Sequence, residues 1–429
     1  MEKQAILAIS VFLLTYAFII SEKVHRTIVA MIGGIIMLAL GVVSQETALH
    51  HIDFNTLGLL TGMMIIVAIT GETGLFKYIA IVAAKKAKGD PLKILFLLAI
   101  ITAVSSAFLD NVTTVLLMVP VTFSITRQLK VNPEPYLITE IIASNIGGTA
   151  TLIGDPPNIM IGSAVKELSF MAFINNLAFI SAVTLIITLI ILLLIYRKQL
   201  KTTEELKSGL MSLDEKKELK DKVLLKQSLI VLSLTILGFF LHQLLHLESA
   251  TVALGGAFIL LLLTSKTDHD LEHAFSRVEW STIFFFVGLF VVVSGLIETG
   301  IISSLARSAI AFTGGDIKVT AILILWLSAI ASAFVDNIPF VATMIPMIQD
   351  MGLMGIANLE PLWWSLALGA CFGGNGSLIG ASANLIVVGL AAQEGVHISF
   401  MRFFFIGFPI MLLSVLIATV YVYIRYLAV

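Results

Sequence analysis

The sequence predicts an all-α polytopic membrane protein, with about 10 transmembrane helices plus two re-entrant hairpins in an inverted repeat with two broken helices. Three observations predict it: the apolar balance of the chain, an internal repeat at one fixed offset, and polar interruptions at matching places in both copies. Of 429 residues, 58% are hydrophobic and 13% are charged, and the mean hydropathy is +1.02. A soluble domain carries roughly a quarter charged residues. This balance excludes disorder, a secreted disulfide scaffold and a cytosolic enzyme. Cys371 is the single cysteine, so neither a disulfide nor a thiol metal cluster is available. The net charge of -2 gives no sign of nucleic-acid binding.

Adding 226 to any position from Phe54 to Asn158 lands on a related residue without a gap. Glu72-Thr73-Gly74 maps to Glu298-Thr299-Gly300, and Ser106–Asn111 (SAFLDN) to Ser332–Asn337 (SAFVDN). Pro120 maps to Pro346, Gly147-Gly148 to Gly373-Gly374, and Asn158 to Asn384. Apolar composition alone does not align Asp-Asn, Gly-Gly and Pro together, so the chain is a duplication. Residues 1–196 form the first half, 197–222 a charged cytoplasmic linker, and 223–429 the second half.

In the first half the apolar runs predict helices at about 4–20, 25–43 and 55–70, then an amphipathic piece at about 72–88. The first run lacks a basic leader and a small-residue cleavage site, so it is read as a membrane helix and not a signal peptide. A long apolar stretch at about 92–127 is interrupted by Asp110-Asn111 and reads as a hairpin that enters and returns. A helix at about 136–165 must break at Gly147–Asn158 (GGTATLIGDPPN), because paired glycines precede Pro156-Pro157. A last helix covers about 171–196. The matching pieces in the second half lie at about 223–246, 249–264, 281–297, 300–312, 318–349, 363–392 and 401–426. Irregular backbone at membrane depth is tolerated only where protein or a cavity surrounds it. Interrupted segments at corresponding places in two halves point to a transporter's binding site.

Charge sets the orientation. With hairpins returning to their own side, each half crosses an odd number of times, so the halves are inverted. Placing 197–222 in the cytoplasm leaves only Lys3, Lys166, Arg307, Lys318 and Arg425 outside, of 26 Lys and Arg in all. The positive-inside rule favours this arrangement. Both termini of this integral membrane chain then lie on the extracytoplasmic side, and the two hairpin tips approach each other from opposite faces.

The tips bring Asp110, Asn111, Thr113 and Thr114 toward Asp336 and Asn337. The breaks add Asn145, Thr149, Thr151, Asp155 and Asn158 from one half, and Asn375, Ser377 and Asn384 from the other. Ionisable groups inside a membrane persist mainly in cavities or pairs. Removal from water favours the neutral form of a carboxyl group, which suits proton exchange. Hydroxyls, amides and freed carbonyls suit a cation or a polyhydroxy solute. Each aspartate has a structural reading beside the functional one: Asp155 precedes two prolines as an N-cap would, and Asp110 and Asp336 can cap the returning arms. Glu72 and Glu298 read as interfacial, and Glu140 as interfacial or supporting. His50, His51, His242, His246, His269 and His273 are scattered in loops and read as solvated, as does the linker. Cys371 reads as a small buried hydrophobe.

The segments SAFLDNVTTVLLMVPVT (106–122) and SNIGGTATLIGDPPNIMIGS (144–163) resemble the ArsB/NhaD branch of the ion transporter superfamily, and within it the P-protein-like group. The repeat, hairpins and breaks match that superfamily's architecture over nearly the whole chain. In its dicarboxylate carriers each tip carries Ser-Asn-Thr, which binds sodium and substrate carboxylate. The resemblance therefore implies an ion or substrate role for Asp110-Asn111 and Asp336-Asn337, including a sodium site at those four residues. It also implies a homodimer. Asp in place of Ser disfavours a dianion, because like charges in a low dielectric repel by several kcal/mol.

The function expected is a secondary active transporter without cofactors, coupled to H+ or Na+ and working by alternating access. Its solute is a small inorganic or ionic species: proton-coupled export of an arsenite- or antimonite-type metalloid, or sodium/proton antiport. The alternatives are sodium-coupled uptake of a di- or tricarboxylate, and an anion conductance of P-protein type. An enzyme is not expected. The paired aspartates lack the Tyr-Asp and Gly-x-Gly-Asp contexts of a membrane aspartyl protease, and no His-Glu-x-x-His, nucleophile elbow or phosphate loop occurs.

Overall fold

Short acidic side chains start the helices. Asp53, Asp90, Asp221 and Asp316 each accept hydrogen bonds from backbone N–H groups of the first turn that follows, satisfying donors that a helix leaves unpaired. The computed structural model describes residues 2–21 and 23–428, and among them every regular element is helical. The first half contains α1 (Glu2–Ser21), α2 (Arg26–Ala39), α3 (Gln45–His51), α4 (Phe54–Glu72) and α5 (Leu75–Lys86). Then follow α6 (Pro91–Leu109), α7 (Asn111–Leu129), α8 (Glu134–Gly148), α9 (Pro156–Ala164) and α10 (Phe170–Tyr196), the last interrupted by one π turn. The connector holds α11 (Glu204–Met211).

The second half contains α12 (Lys222–Leu241), α13 (Ser249–Thr264), α14 (Asp268–Ser276), α15 (Trp280–Glu298) and α16 (Ile301–Thr313). It ends with α17 (Ile317–Phe334), α18 (Asn337–Leu353), α19 (Glu360–Gly373), α20 (Ser382–Gln393) and α21 (Phe400–Leu427).

Nine helices among the described residues are long and apolar enough to cross a membrane, and α6, α7 and α17 of these are hairpin arms. The ten expected crossings thus include four that length alone would miss: the two broken helices and the short α2 and α13. At 14 and 16 residues, α2 and α13 span about 21 and 24 Å. Large apolar side chains such as Ile6, Phe179, Leu262 and Phe405 stand exposed, as lipid contact requires. The breaks are narrower than expected. Gly147 and Gly148 complete the last turn of α8, and Pro156 already begins α9, because Pro is favourable at a first helical position. The short α3 and α14 were not anticipated.

Two bundles form. In one, α4 packs on α13 and α2 on α15, so each half lends helices to the other's. A Cβ on Gly62 or Gly288 would sit 2.5 Å from the carbonyl carbon of Ala253 or Ala30, and this close approach explains both glycines. In the other bundle, α6 packs on α8 and α17 on α19. The amphipathic α5 and α16 connect the bundles.

The connector differs from the solvated linker expected. Lys85 Nζ donates to Leu213 O at 2.9 Å and meets Glu215 at 2.6 Å, while Lys77 meets Glu218 at 2.7 Å. The Thr202 hydroxyl donates to Leu129 O at 2.7 Å, and Leu210 is fully buried. The segment is strapped across α5 and α7, because its acidic residues face the lysines of α5. His51 and His273 are likewise partnered, with Glu298 at 3.0 Å and Glu72 at 2.7 Å. These two contacts join the halves at equivalent places.

Candidate functional site

Both hairpins turn where Asp-Asn interrupts the apolar run. Asp110 Oδ1 accepts from the Thr113 N–H at 2.9 Å, and its Oδ2 from the Thr113 hydroxyl at 2.6 Å. Asp336 Oδ1 accepts from the Ile338 N–H at 3.1 Å. Both carboxylates therefore cap the returning arms, as the structural reading of them held. Beyond the cap they differ. Asp336 Oδ2 lies 2.5 Å from Arg26 Nη1 and accepts from the Ser382 hydroxyl at 2.8 Å. Asp110 makes no ion pair among the described residues, and its backbone adopts φ 72°, ψ 154°, a conformation that costs about 1–3 kcal/mol outside glycine.

The breaks are latched to the hairpins by one set of contacts used twice. The Ser106 hydroxyl donates to Ser144 O at 2.7 Å, and the Ser332 hydroxyl to Ala370 O at 2.7 Å. Thr151 donates to Ala107 O, and Ser377 to Ala333 O. Asn158 Nδ2 donates to the carbonyls of Thr149 and Thr151, while Asn384 Nδ2 donates to those of Gly374 and Ser377. Unwound carbonyls at this depth need such donors. Gly147 and Gly373 abut the carbonyls of Ala103 and Ala329, where a Cβ would collide.

Between the latches lies a fully buried polar centre. Asn111 Nδ2 donates to Asn145 Oδ1 and to Asp155 Oδ1, each at 3.2 Å. Asn337 Nδ2 reaches the same Asp155 Oδ1 at 3.4 Å. Asn145 Nδ2 donates to Asn375 Oδ1 and Asn384 Oδ1, each at 3.0 Å. Amides from both tips thus converge on one carboxylate, and Asn145 links the first tip to the amides of the second break. Asp155 makes no side-chain cap, so the N-cap reading of this residue is corrected: its carboxylate faces the tips. Asp155 Oδ2, Asn111 Oδ1, Asn375 Nδ2 and the Thr114 hydroxyl have no protein partner. Unpartnered buried polar atoms are rare enough to need an explanation. No three His, Cys, Asp or Glu side chains converge to hold a metal among the described residues, so oxygen here comes from amides, hydroxyls and Asp155.

A family model described as citrate transporter matches residues 16–369. This chain belongs to the citrate transporter family. It is therefore an integral membrane transporter of the ion transporter superfamily. The 46 kDa membrane protein of Mycobacterium leprae is 39% identical to it over 429 residues, 99% of each chain. An uncharacterized transporter of Mycobacterium tuberculosis is 40% identical over 428 residues, 98% of this chain and 99% of its own. The human P protein is 35% identical over 510 aligned positions, spanning all of this chain and 61% of its own length. The likeness to P proteins expected from the two motif segments is thus borne out. The Alcanivorax borkumensis YdaH transporter, whose crystal structure is described as revealing an unusual topology, superposes with TM-score 0.60 at 14% identity. The superposition covers 99% of this chain and 98% of that one, so the two chains share a fold.

Of the expected site residues, Asn111, Asn145, Asp155, Asn337, Asn375 and Asn384 meet at the centre. Thr113, Thr149, Thr151, Asn158 and Ser377 spend their polar groups on caps and latches. The carboxylates of Asp110 and Asp336 stand beside the centre and make no hydrogen bond to its amides. Cys371 Sγ lies 3.6 Å from Asn158 Oδ1, fully buried. Sequence reasoning missed Arg26, Ser382, and Tyr16, whose hydroxyl donates to Pro339 O at 2.6 Å. Arg26 counted only as one of many inside charges. Its place at the head of an apolar run was the available signal. Cavities of about 310 Å³ beside Arg26, Asp336 and Ser382 and about 430 Å³ beside His51, Asp53 and Ser163 lie toward opposite ends of α2.

Proposed function

We propose that the protein is a cation-coupled secondary transporter that works by alternating access, with Asp155 and Asn111 holding the coupling H+ or Na+. One observation carries this reading: both hairpin tips donate to one oxygen of a fully buried carboxylate whose other oxygen is unpartnered. A charged carboxylate in a low dielectric is strongly disfavoured, and a proton or cation at Asp155 Oδ2 removes that charge. The solute that fits is a small uncharged hydroxide of the arsenite or antimonite type, or sodium itself exchanged for protons, as in the ArsB/NhaD branch. Three aspartates against one arginine around the centre repel a dianion. The bundle of hairpins and broken helices, with α10 and α21 packed on it, moves against the bundle of α1, α2, α4, α12, α13 and α15, and the two cavities serve the two faces. The linker side is cytoplasmic, both termini are extracytoplasmic, and the unit is a homodimer in lipid.

Proteoliposomes with an imposed pH or sodium gradient test the coupling. Asp155→Asn, an isostere without charge, is expected to lower gradient-driven flux at least about tenfold, equivalent to 1.4 kcal/mol. Wild-type coupled flux in Asp155→Asn defeats the proposal. A second reading, sodium-coupled transport of a citrate-type anion, is favoured by Arg26, a cation in contact with the Asp336 tip, and by the family's description. Saturable, sodium-dependent uptake of labelled citrate that is lost in Arg26→Gln would select it.

A further inference from the structure

Helix α8 carries a second buried carboxyl group, away from the centre described above. Glu140 is 1% exposed and lies between α8 and α7, where the Thr122 hydroxyl donates to its Oε1. Its Oε2 has no partner. Of the two sequence readings of this residue, interfacial or supporting, its burial removes the first. Neither member of the pair recurs in the other half, where Leu366 and Ile348 occupy the matching positions. The fold therefore does not require a polar pair at this crossing, since its repeat mate makes the same crossing with hydrocarbon.

The surroundings contain no counter-charge. On α8 itself, Glu134 is occupied by Arg402 and the Tyr136 hydroxyl donates to Pro91 O. The helices packed on α8 are α6, with Lys93 and the cap residue Asp90; α7, with Arg127 and Asp110 near its ends; α10, with Tyr196; α19, with Glu360 and Cys371; and α20, which has no ionisable side chain. The ion pairs and hydrogen bonds found among the described residues join none of these groups to Glu140. A glutamine would satisfy Thr122 equally well, so what distinguishes glutamate here is the ability to gain and lose a proton. Intramembrane ionisable residues mark ion or proton pathways by default. Five residues along α8 separate Glu140 from Asn145, about 7.5 Å of helix rise, on the side of α8 toward Glu134.

We propose that Glu140 is a second proton-binding site, exchanging its proton during the cycle between the Glu134 end of α8 and the Asp155 centre. The inference rests on the proton-coupled form of the proposed function, and two measurements keep the two separable. In proteoliposomes, Glu140→Gln is expected to carry one proton fewer per solute and to flatten the pH dependence of flux, while solute still moves down its own gradient. An unchanged proton-to-solute ratio and pH profile in Glu140→Gln overturns the proposal. Wild-type flux that ignores pH altogether overturns the proton-coupled form of the function, and this inference with it.

The second measurement needs no transport. Infrared difference spectra of the purified protein between acid and alkaline pH should contain a protonated-carboxyl band that Glu140→Gln lacks. Thr122→Val, which leaves the carboxyl in place without its donor, should shift that band. Identical spectra in wild type and both variants would show that Glu140 does not titrate.

Discussion

The two hairpin tips began as copies and now do different things with the same aspartate. Asp336 has a relaxed backbone and two partners brought from elsewhere, Arg26 from α2 and Ser382 from α20. Among the described residues Asp110 bonds to its own Thr113, and its backbone lies in a region that disfavours side chains. The breaks diverge in the same sense, with Asp155 in one half and Ala381 in the other. One copy has had its charge neutralised and tethered to a neighbouring bundle, while the other keeps unpaired acid at the centre. The lesson is that an inverted repeat supplies two equivalent places, and coupling needs them to stop being equivalent.

Breaking the Arg26 contact should produce the largest change in stability. A buried ion pair that loses one partner leaves an uncompensated charge, at a cost of about 3–5 kcal/mol. Arg26 is partly exposed, with 22% of its side chain accessible, so the lower end of that range applies to Arg26→Gln. Thermal unfolding in detergent measures it. Arg26→Gln with Asp336→Asn should recover most of the loss, because the double variant has no stranded charge. If the double variant is no better than the single one, Asp336 is not the partner that matters.

Glycine substitution should separate the tips by sign. At Asp110, glycine relieves the φ 72° conformation at the expense of the cap, whose loss to glycine is only a few tenths of a kcal/mol. Asp110→Gly is therefore expected to stabilise by about 1–2 kcal/mol. At Asp336, with φ -46°, glycine relieves nothing and strands Arg26, so Asp336→Gly is expected to destabilise. Melting temperatures that move in the same direction for both variants would refute the contrast between the tips.

How much of this was legible in sequence follows from where the determining contacts lie. The hairpins and breaks were readable because Asp110-Asn111 and Gly147–Asn158 interrupt long apolar runs, and because the repeat supplies each signal twice. The centre was readable as a set of candidates, since asparagine in a membrane segment needs a partner. What was not readable was direction. The local signal at Asp155 pointed two ways: Pro at the first helical position suits an N-cap before it, yet Pro156 and Pro157 offer no N–H for that cap to accept, and the carboxylate turns to the tips instead. Arg26 meets Asp336 across 310 positions of sequence, and Ser382 stands where the other half has Pro156, so neither fell within the repeat logic. Glu140 stayed open between an interfacial and a supporting role because α8 is buried on every side, so no polar outward face marks which of its polar residues pack inward.

The remaining asymmetry is between the amphipathic helices α5 and α16. Only α5 is strapped by the connector, through Lys85–Glu215 and Lys77–Glu218. Helix α16 carries Arg307 and makes no ion pair among the described residues. Lys85 holds the Glu215 carboxyl below its ordinary value of 4.5, so the contact contributes at pH above that value and is lost as pH falls through the lowered one. The strap should therefore loosen only in acid. Pepsin cleavage of 197–222 is expected to accelerate as pH drops below 4.5 by more than the protease's own activity change on a denatured control. At neutral pH, trypsin should cut Glu215→Gln faster at Lys216 and Lys217 than the wild type, and high salt should narrow the gap by screening an exposed pair. This is the smallest effect expected, because both side chains remain about a quarter accessible to water. Equal cleavage of the variant and wild type at every salt concentration would show that the strap holds without the Lys85–Glu215 pair, through Lys77–Glu218, Leu210 and the Thr202 bond.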